Sequence, residues 1–330
     1  MKQIVYLLSL LCIVCQAAPL DSQSFRAAMD AHRIGTLELP SEQSELTKYR
    51  YAFVAGFLNE GLVGYFHDNR RALLDFGIPD YLIEAPIYPP SINTVEANAQ
   101  FVLEQLKKLR QKGDQKLVVI GHSKGSVELF TTAMHAPDFI TEGVEALILV
   151  QSAFGSGVAD YMVTGKPAVD HRMPFLARKV VATAGLLESH LHSLIKDGME
   201  SLTHLKTNEL LSKLMLSDKE SIPQISDKLY FIRGWEEPGH NPLKGITEIL
   251  KPTAWYLATY FCKSKTIDGR IYGLNDGLVC LEDQSVAGIG TILTTLSADH
   301  ADLMTTIPTS NQSSDIRINL MAAIVHGLAQ

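Results

Sequence analysis

The sequence contains 330 residues and carries a formal net charge of −7, with a pI of about 5.9. This acidic balance, without a run of basic residues, argues against a nucleic-acid partner and disfavours binding to anionic membrane surfaces. With 46% hydrophobic residues, the chain is long enough to bury the core of one large α/β domain with an insertion, or of two domains.

The first 17 residues have the pattern of a secretory signal peptide. Lys2 gives a positive start, and residues 4–14 form an apolar run that is too short to span a membrane. Residues 15–17 supply small side chains at the recognition positions, so we predict cleavage after Ala17. An N-terminal anchor or a buried helix is the alternative. Residues 18–330 then form the mature protein, which we expect outside the cell or in the periplasm.

The cysteines suggest a disulfide in the mature chain. Cleavage after Ala17 removes two of the four cysteines and leaves Cys262 and Cys280. An even pair in an exported chain predicts one disulfide. Two separate buried thiols are the alternative, because the sequence does not give the distance between them.

The first core strand is predicted over residues 51–55. Residues 18–48, which are polar with scattered apolar positions, are expected to run over the surface before it. The loop at 56–61 is bounded by glycines. Because a loop of this kind, upstream of a nucleophile turn, supplies a backbone N–H to an oxyanion, we assign the N–H of Phe57 to that role.

Alternating strands and helices follow. We predict a helix over 62–76, a strand over 81–85 that prolines interrupt, and an amphipathic helix over 95–112. The repeated order of strand and helix predicts a mostly parallel sheet with helices on both faces.

A nucleophile turn is the central motif of the sequence. Residues 117–120 predict a buried strand, Gly-His-Ser-Lys-Gly follows at 121–125, and apolar residues at helical spacing come next. The order of strand, tight turn and helix is typical of a nucleophile elbow that presents Ser123. The N–H of Lys124 is the second predicted oxyanion donor. An ordinary turn between strand and helix would explain the glycines alone.

The second half of the chain continues the alternation around a long insertion. A strand is predicted over 144–150, and residues 155–216 contain helical patterns without an obvious strand. An insertion of this size predicts a lid, although ordinary flanking helices would give the same periodicity. Further predicted elements are a strand over 228–232, a short helix over 255–261 and a terminal helix over 316–328.

A reactive serine needs a histidine base and a carboxylate that orients it. After an elbow serine, the acid and then the histidine follow in the chain. Only His300 and His326 follow Asp276, which lies in a glycine turn, and His326 lies in the terminal helix pattern. We therefore predict Ser123, Asp276 and His300 as the triad. Asp299 is the rival acid, but it adjoins His300 in sequence, a geometry in which side chains rarely pair.

Several motifs together resemble the successive blocks of the secreted bacterial triacylglycerol lipases, a family of the α/β-hydrolase superfamily. They are G-H-S-K-G at 121–125, G-S-G-V-A-D at 155–160, N-D-G-L-V at 275–279 and D-H-A-D at 299–302, and residues 200–207 are similar to the segment after the lid. The resemblance implies the α/β-hydrolase fold, the same triad and oxyanion residues, a mobile lid and hydrolysis of long-chain carboxylic esters.

The sequence departs from the family pattern in places. Ala55 precedes Gly56 where the family has histidine, and Ser126 stands in place of a glycine. Some members bind a structural calcium through an aspartate two residues after the histidine, and Asp302 matches that position. The family's disulfide has a cysteine shortly after the acid motif, and Cys280 is offset from it.

The expected function is a secreted serine hydrolase that cleaves carboxylic esters of lipids at a lipid–water interface, with no cofactor required for the chemistry. A phospholipase or a lipid acyltransferase would use the same triad. A binding protein that kept the fold without activity is the alternative from another class. It predicts a broken triad, whereas all three residue types are present in order.

Overall fold

The structure is a computed structural model of the chain. It describes residues 20–61, 64–164, 196–217, 219–235, 265–267, 270–272, 274–305 and 311–330. The predicted signal peptide (1–17), the short helix predicted over 255–261, Cys262 and the centre of the predicted lid lie outside the described residues.

A parallel sheet forms the centre of the fold. Its strands are β1 (Tyr49–Val54), β2 (Lys116–His122), β3 (Val144–Val150), β4 (Leu229–Trp235) and β7 (Thr291–Ser297). They are ordered β1-β2-β3-β4-β7, and each neighbouring pair is parallel. A separate antiparallel pair consists of β5 (Lys265–Ile267) and β6 (Arg270–Tyr272).

Helices cover both faces of this sheet. The described helices are α1 (Ser22–Arg33), α2 (Gln43–Leu46), α3 (His67–Asp75), α4 (Val95–Arg110), α5 (Lys124–His135), α6 (Pro137–Gly143), α7 (Gly157–Thr164), α8 (His204–Ser217), α9 (Ile222–Ile225) and α10 (Asn311–Leu328). Helices α1, α3 and α10 contribute to one hydrophobic cluster, and α4, α5, α6 and α8 contribute to the other.

The alternation of side chains along β1 shows how the two clusters are divided. Tyr51 and Phe53 enter the cluster with α1 and α10, whereas Ala52 and Val54 enter the cluster with α4 and α5. Successive side chains of a strand point to opposite faces, and a parallel sheet covered on both faces is apolar on both. The continuous apolar runs in the sequence follow from this arrangement.

The carboxyl ends of the strands converge on one edge of the sheet. The loop at 56–61 follows β1, Ser123 follows β2, and His300 lies three residues beyond the end of β7. In open parallel sheets this edge is where ligands bind. The fold therefore brings together segments that are almost 250 residues apart in the chain.

Most predicted elements are confirmed, with shifted ends. The strand over 144–150 has the predicted bounds, and the terminal helix begins at Asn311 rather than at 316. The strand predicted over 81–85 is wrong: residues 80–82 form a 3-10 turn, and Ile83 makes only an isolated bridge to β1. The adjacent Pro86 cannot donate to a ladder.

In the described part of residues 18–48, which is mostly exposed or half-buried as expected for a surface segment, the structure has a helix that the sequence analysis does not predict. Helix α1 occupies part of this range and buries Phe25, Ala28 and Met29, which share one helical face. The side chain of Asp21 caps the helix by accepting hydrogen bonds from the N–H groups of the second and third helical residues, each 2.9 Å long.

Among the described residues, no helix has the length and apolar character needed to cross a bilayer.

Candidate active site

Ser123 lies in a strained turn between β2 and α5. Its φ is +57° and its ψ is −126°, a region that costs on the order of 1–3 kcal/mol for a residue with a side chain. A Cβ at Gly125 would lie 2.5 Å from the carbonyl oxygen of Ala55, and one at Gly121 would lie 3.0 Å from the Cα of Ser126. Gly125 therefore has to be glycine, and Gly121 leaves little room for a side chain.

The three residues predicted as a triad form one chain of hydrogen bonds. The ring nitrogen Nε2 of His300 lies 2.8 Å from Oγ of Ser123, and Nδ1 lies 2.7 Å from Oδ2 of Asp276. The histidine side chain is 11% exposed and the aspartate side chain is fully buried. The backbone N–H of His300 also donates to the carbonyl oxygen of Asp276, at 2.8 Å. The carboxylate thus orients an imidazole that can accept the serine proton.

The carboxylate of Asp276 is held by further donors. Its Oδ1 accepts hydrogen bonds from the N–H groups of Leu278 and Val279, at 3.0 and 2.8 Å. Its Oδ2 accepts from Nε2 of Gln284, at 3.1 Å. The amide of Gln284 exchanges two hydrogen bonds with the backbone of Gly234 in β4. Gln284, which the sequence analysis did not single out, therefore fixes the loop that carries Asp276, the acid loop, to the sheet.

The two predicted oxyanion donors flank the nucleophile. A Cβ on Gly56 would lie 2.8 Å from the Cβ of Ser123, so the loop after β1 packs directly against the serine. The N–H of Gly56 donates to the hydroxyl of Tyr65. Within the described part of the chain, the N–H groups of Phe57 and Lys124 have no acceptor. Two free donors beside a nucleophile are the arrangement that an oxyanion requires.

A polar network holds the loop at 56–61 in shape; we call this segment the oxyanion loop because it carries the predicted donor Phe57. Leu58 has a φ of +58°, and its N–H donates to Oγ of Ser91, at 2.7 Å. Ser91 in turn donates its hydroxyl and its N–H to the carboxylate of Glu60. The side chain of Asn59 donates to the carbonyl oxygens of Gly56 and of a proline on the neighbouring loop, both at 2.8 Å.

A buried ion pair lies behind this loop. Lys124 and Glu128 are each 1% exposed, and Nζ lies 3.5 Å from Oε1. Nζ also donates to the carbonyl oxygen of Asn93, at 2.5 Å, and lies 5.6 Å from the ring centre of Phe57. Asn98 donates to the Glu128 carboxylate. Burial lowers the pKa of Lys124 and raises the pKa of Glu128, and the mutual attraction of the two charges partly offsets both shifts.

A second charged cluster ties the base of the predicted lid to the acid loop. Nδ1 of His204 lies 2.5 Å from the carboxylate of Asp160, and Nε2 lies 3.0 Å from that of Asp283. Hydrogen bonds to these carboxylates raise the pKa of His204 to about 10, so the ring is a cation that joins α7, α8 and the segment before Gln284. A Cβ at Gly155 would lie 2.6 Å from this ring.

The side chains around His204 also include a group that could in principle bind a metal, but that group does not fit one. Among the described residues, His204, Cys280 and Asp283 are the only three potential ligands that gather closely. Cys280 is in a disulfide, and both nitrogens of the histidine already face carboxylates. Because Cys262 lies outside the described residues, its pairing with Cys280 stays a prediction.

Asp302, the residue predicted to bind calcium, lies in the loop that carries His300. Its Oδ2 accepts a hydrogen bond from the N–H of Asp299, at 3.2 Å. In the part of the chain that the structure describes, the close groups of three His, Cys, Asp or Glu residues do not include Asp302. Calcium binding stays a prediction. Asp299, the rival acid, accepts hydrogen bonds from the N–H groups of Ala301 and Asp302. Its carboxylate therefore stabilises the backbone turn that follows it.

A buried guanidinium fastens this loop. Arg317 of α10 is 2% exposed and donates to the carbonyl oxygens of Asp302 and Thr305, each at 2.8 Å. It also forms an ion pair with Asp68 of α3, at 2.6 Å. The loop that carries His300 is therefore anchored to two helices through one side chain.

The comparisons with known proteins agree with this architecture. The chain is similar to the crystal structure of a carboxyl esterase of metagenomic origin, with a TM-score of 0.59 and 18% identity, over 94% of this chain and 93% of that chain. It is also similar to the propeptide form of a lipase from Bacillus licheniformis, with a TM-score of 0.51 and 17% identity, over 80% of this chain and 48% of that chain. No protein-family model and no curated sequence matches.

At these identities the likeness shows the fold alone. The parallel five-stranded sheet, flanked by helices on both faces, is the α/β-hydrolase fold. The predicted fold class is confirmed. The activity of this chain has to be argued from its own residues, because one fold hosts many functions.

Proposed function

We propose that this protein is a serine hydrolase that cleaves carboxylic esters. The observation that carries the proposal is the continuous chain of hydrogen bonds from Ser123 through His300 to Asp276, on a strained elbow beside two free N–H groups. Each group has a role that ester hydrolysis needs, and a binding protein would have no use for the strain or for the free donors.

The chemistry follows from the geometry. As Oγ of Ser123 attacks the ester carbonyl, its proton passes to Nε2 of His300, and the buried carboxylate of Asp276 stabilises the imidazolium that forms. The N–H groups of Phe57 and Lys124 bind the oxyanion of the tetrahedral intermediate. His300 then protonates the departing alcohol. Water, activated by the same histidine, releases the acid from the acyl-enzyme.

The substrate we propose is a lipid ester. Exposed apolar side chains lie on the two loops that the Ser91 network joins beside the oxyanion donors: Leu58, Tyr88 and Ile92 are 44%, 47% and 54% exposed. Such a surface suits an acyl chain or a lipid–water interface. The resemblance to triacylglycerol lipases and the predicted lid over 155–216 support the same class. The apolar run at 4–14 supports export, with cleavage after Ala17.

A fluorophosphonate probe tests the central proposal. We expect the probe to label the native protein and to leave Ser123→Ala unlabelled, because the probe reacts only with an activated serine. Ser126→Ala is the matched control: its hydroxyl lies three residues away in the same turn and donates to the carbonyl oxygen of Val150. Absence of labelling in the native protein would favour a binding protein that kept the fold.

A substrate panel tests the lipid class. We expect turnover of p-nitrophenyl esters of medium and long acyl chains and of a triglyceride emulsion. Turnover of the acetyl ester alone would leave a simple esterase. Preference for a phospholipid over the triglyceride would identify a phospholipase, and acyl transfer to an added alcohol in excess of hydrolysis would identify an acyltransferase.

A further inference from the structure

A buried chain of hydrogen bonds connects the oxyanion loop with the loop that carries His300. The N–H of Gly56 lies 3.0 Å from the hydroxyl oxygen of Tyr65, and this oxygen lies 2.5 Å from Nδ1 of His122. The other ring nitrogen of His122, Nε2, lies 2.8 Å from the carbonyl oxygen of His300. Tyr65 and His122 are 5% and 2% exposed.

The two ends of the chain fix the direction of every bond. A backbone N–H can only donate, so the oxygen of Tyr65 accepts from Gly56 and its own hydrogen is free to bond elsewhere. A carbonyl can only accept, so Nε2 of His122 must carry a hydrogen and donate it to His300. Nδ1 then has a free lone pair, which accepts a hydrogen bond from the hydroxyl of Tyr65. One tautomer of a neutral His122 satisfies the whole chain.

The backbone of Tyr65 is fixed by the loop that carries His300. Tyr65 forms an isolated antiparallel bridge with Thr305, and the N–H of Phe66 donates to the carbonyl oxygen of Met304, at 2.7 Å. The ring of His122 packs 5.0 Å from that of His300. The backbone of Tyr65 is thus bound to the loop that carries His300, while its hydroxyl contacts the oxyanion loop.

We propose that Tyr65 and His122 are positioning residues that set the oxyanion loop and the general-base histidine in one geometry relative to Ser123. This inference rests on the proposed function. Holding the N–H of Gly56 fixes the backbone that presents the next N–H, that of Phe57, which has no acceptor among the described residues. Holding the carbonyl of His300 complements the bond between its N–H and the carbonyl of Asp276, so both backbone groups of the base are fixed.

The electrostatics agree with this role. Burial lowers the pKa of His122 well below its usual value, and the nearby charge of His300 acts in the same direction. A neutral ring adds no repulsion when His300 takes the proton of the serine. These hydrogen bonds therefore position His300 without opposing the positive charge that develops on its ring.

The first test is Tyr65→Phe, which removes only the hydroxyl. We expect kcat for a p-nitrophenyl ester to fall on the order of 10- to 100-fold while KM changes less than twofold, because a misplaced oxyanion donor weakens binding of the transition state rather than of the substrate. The matched control is Tyr230→Phe. The Tyr230 hydroxyl donates to the carbonyl oxygen of Asp227 at the amino-terminal end of β4, whereas the site lies at the carboxyl ends of the strands. This variant should lose a partly buried hydrogen bond and keep its kcat.

The second test is a double-mutant cycle with His122→Leu, which removes both ring nitrogens and so cuts both hydrogen bonds. If the two residues act as one chain, cutting either link removes most of the benefit, so the losses in kcat of the single variants should not multiply in the double variant. His122→Leu alone also tests the proposal if Tyr65→Phe fails to fold. Multiplicative losses, or a kcat of either single variant equal to that of Tyr230→Phe, would overturn the positioning role.

Labelling by the fluorophosphonate separates this inference from the proposed function. A native protein that is labelled at Ser123 and hydrolyses esters, together with a Tyr65→Phe variant of unchanged kcat, refutes only the positioning chain. A native protein that is neither labelled nor active refutes both.

Discussion

The cluster of His204 with two carboxylates makes the stability of the protein depend on pH in a defined direction. The perturbation is His204→Gln, which keeps a neutral side chain able to form a hydrogen bond but removes the cation. Asp160 and Asp283 then face each other across the gap. They connect α7 and the acid loop, so the variant weakens the joint between the predicted lid and the site.

The magnitude follows from the pKa values. The pKa of His204 is raised from 6.5 to about 10, and about 1.36 kcal/mol per pH unit sets a ceiling near 5 kcal/mol. Because the ring is 29% exposed, solvent screening reduces this to about 2 kcal/mol. Since the folded pKa is raised, this stability is fully present below pH 6.5 and is lost as the pH rises toward 10.

Urea unfolding of the oxidised protein at a series of pH values measures the effect. We expect the native protein to exceed His204→Gln in free energy of unfolding by an amount that shrinks by about 2 kcal/mol between pH 6 and pH 10. His135→Gln, which replaces an exposed histidine at the end of α5, is the control and should follow the native curve. A difference between the native protein and His204→Gln that stays constant with pH would refute the reasoning.

Further predictions concern the site itself. Asp276→Asn should lower kcat on the order of 10⁴-fold with the fold intact, because an amide stabilises the wrong tautomer of the base, and steady-state kinetics with circular dichroism will check this. Gly56→Ala should abolish ester turnover, since its Cβ would lie 2.8 Å from that of Ser123, whereas Gly61→Ala, with open space around it, should keep full activity. Lys124→Met should lower the free energy of unfolding by about 3–5 kcal/mol because it strands a buried carboxylate, and adding Glu128→Leu should restore most of the loss in urea titrations. Equal stability of the single and double variants would contradict that account.

The parts of the fold that the sequence predicted are those set by local chemistry. The elbow at 121–125 needs glycines wherever a Cβ would meet backbone, and such a pattern is visible in one chain segment. The continuous apolar runs of the central strands follow from burial on both faces. The order of serine, acid and histidine then reduced eleven histidines to two, and the terminal helix pattern removed His326. The remaining candidate, His300, lies within hydrogen-bond distance of Ser123.

What the sequence did not reveal depends on partners distant in the chain. Tyr65 and His122 are separated by 57 positions, and neither belongs to a pattern that would pair them. Residues 81–85 have strand-like composition and make one bridge, but the neighbouring proline interrupts the ladder. Helix α1 was predictable, since Asp21 is a strong capping residue and apolar side chains follow at helical spacing. The sequence analysis missed this helix because residues 18–48 are polar on average.

The guanidinium of Arg317 has a consequence for the order of events during synthesis. All three reacting side chains leave the ribosome before residues 311–328, yet the loop that carries His300 is fastened from that later helix. A nascent chain therefore contains the reacting groups before it can hold them in register, and we expect it to stay inert until α10 docks. A stalled chain that ends at residue 310 should leave a serine-directed probe unreacted, and labelling of that chain would show that the helix is dispensable for assembly.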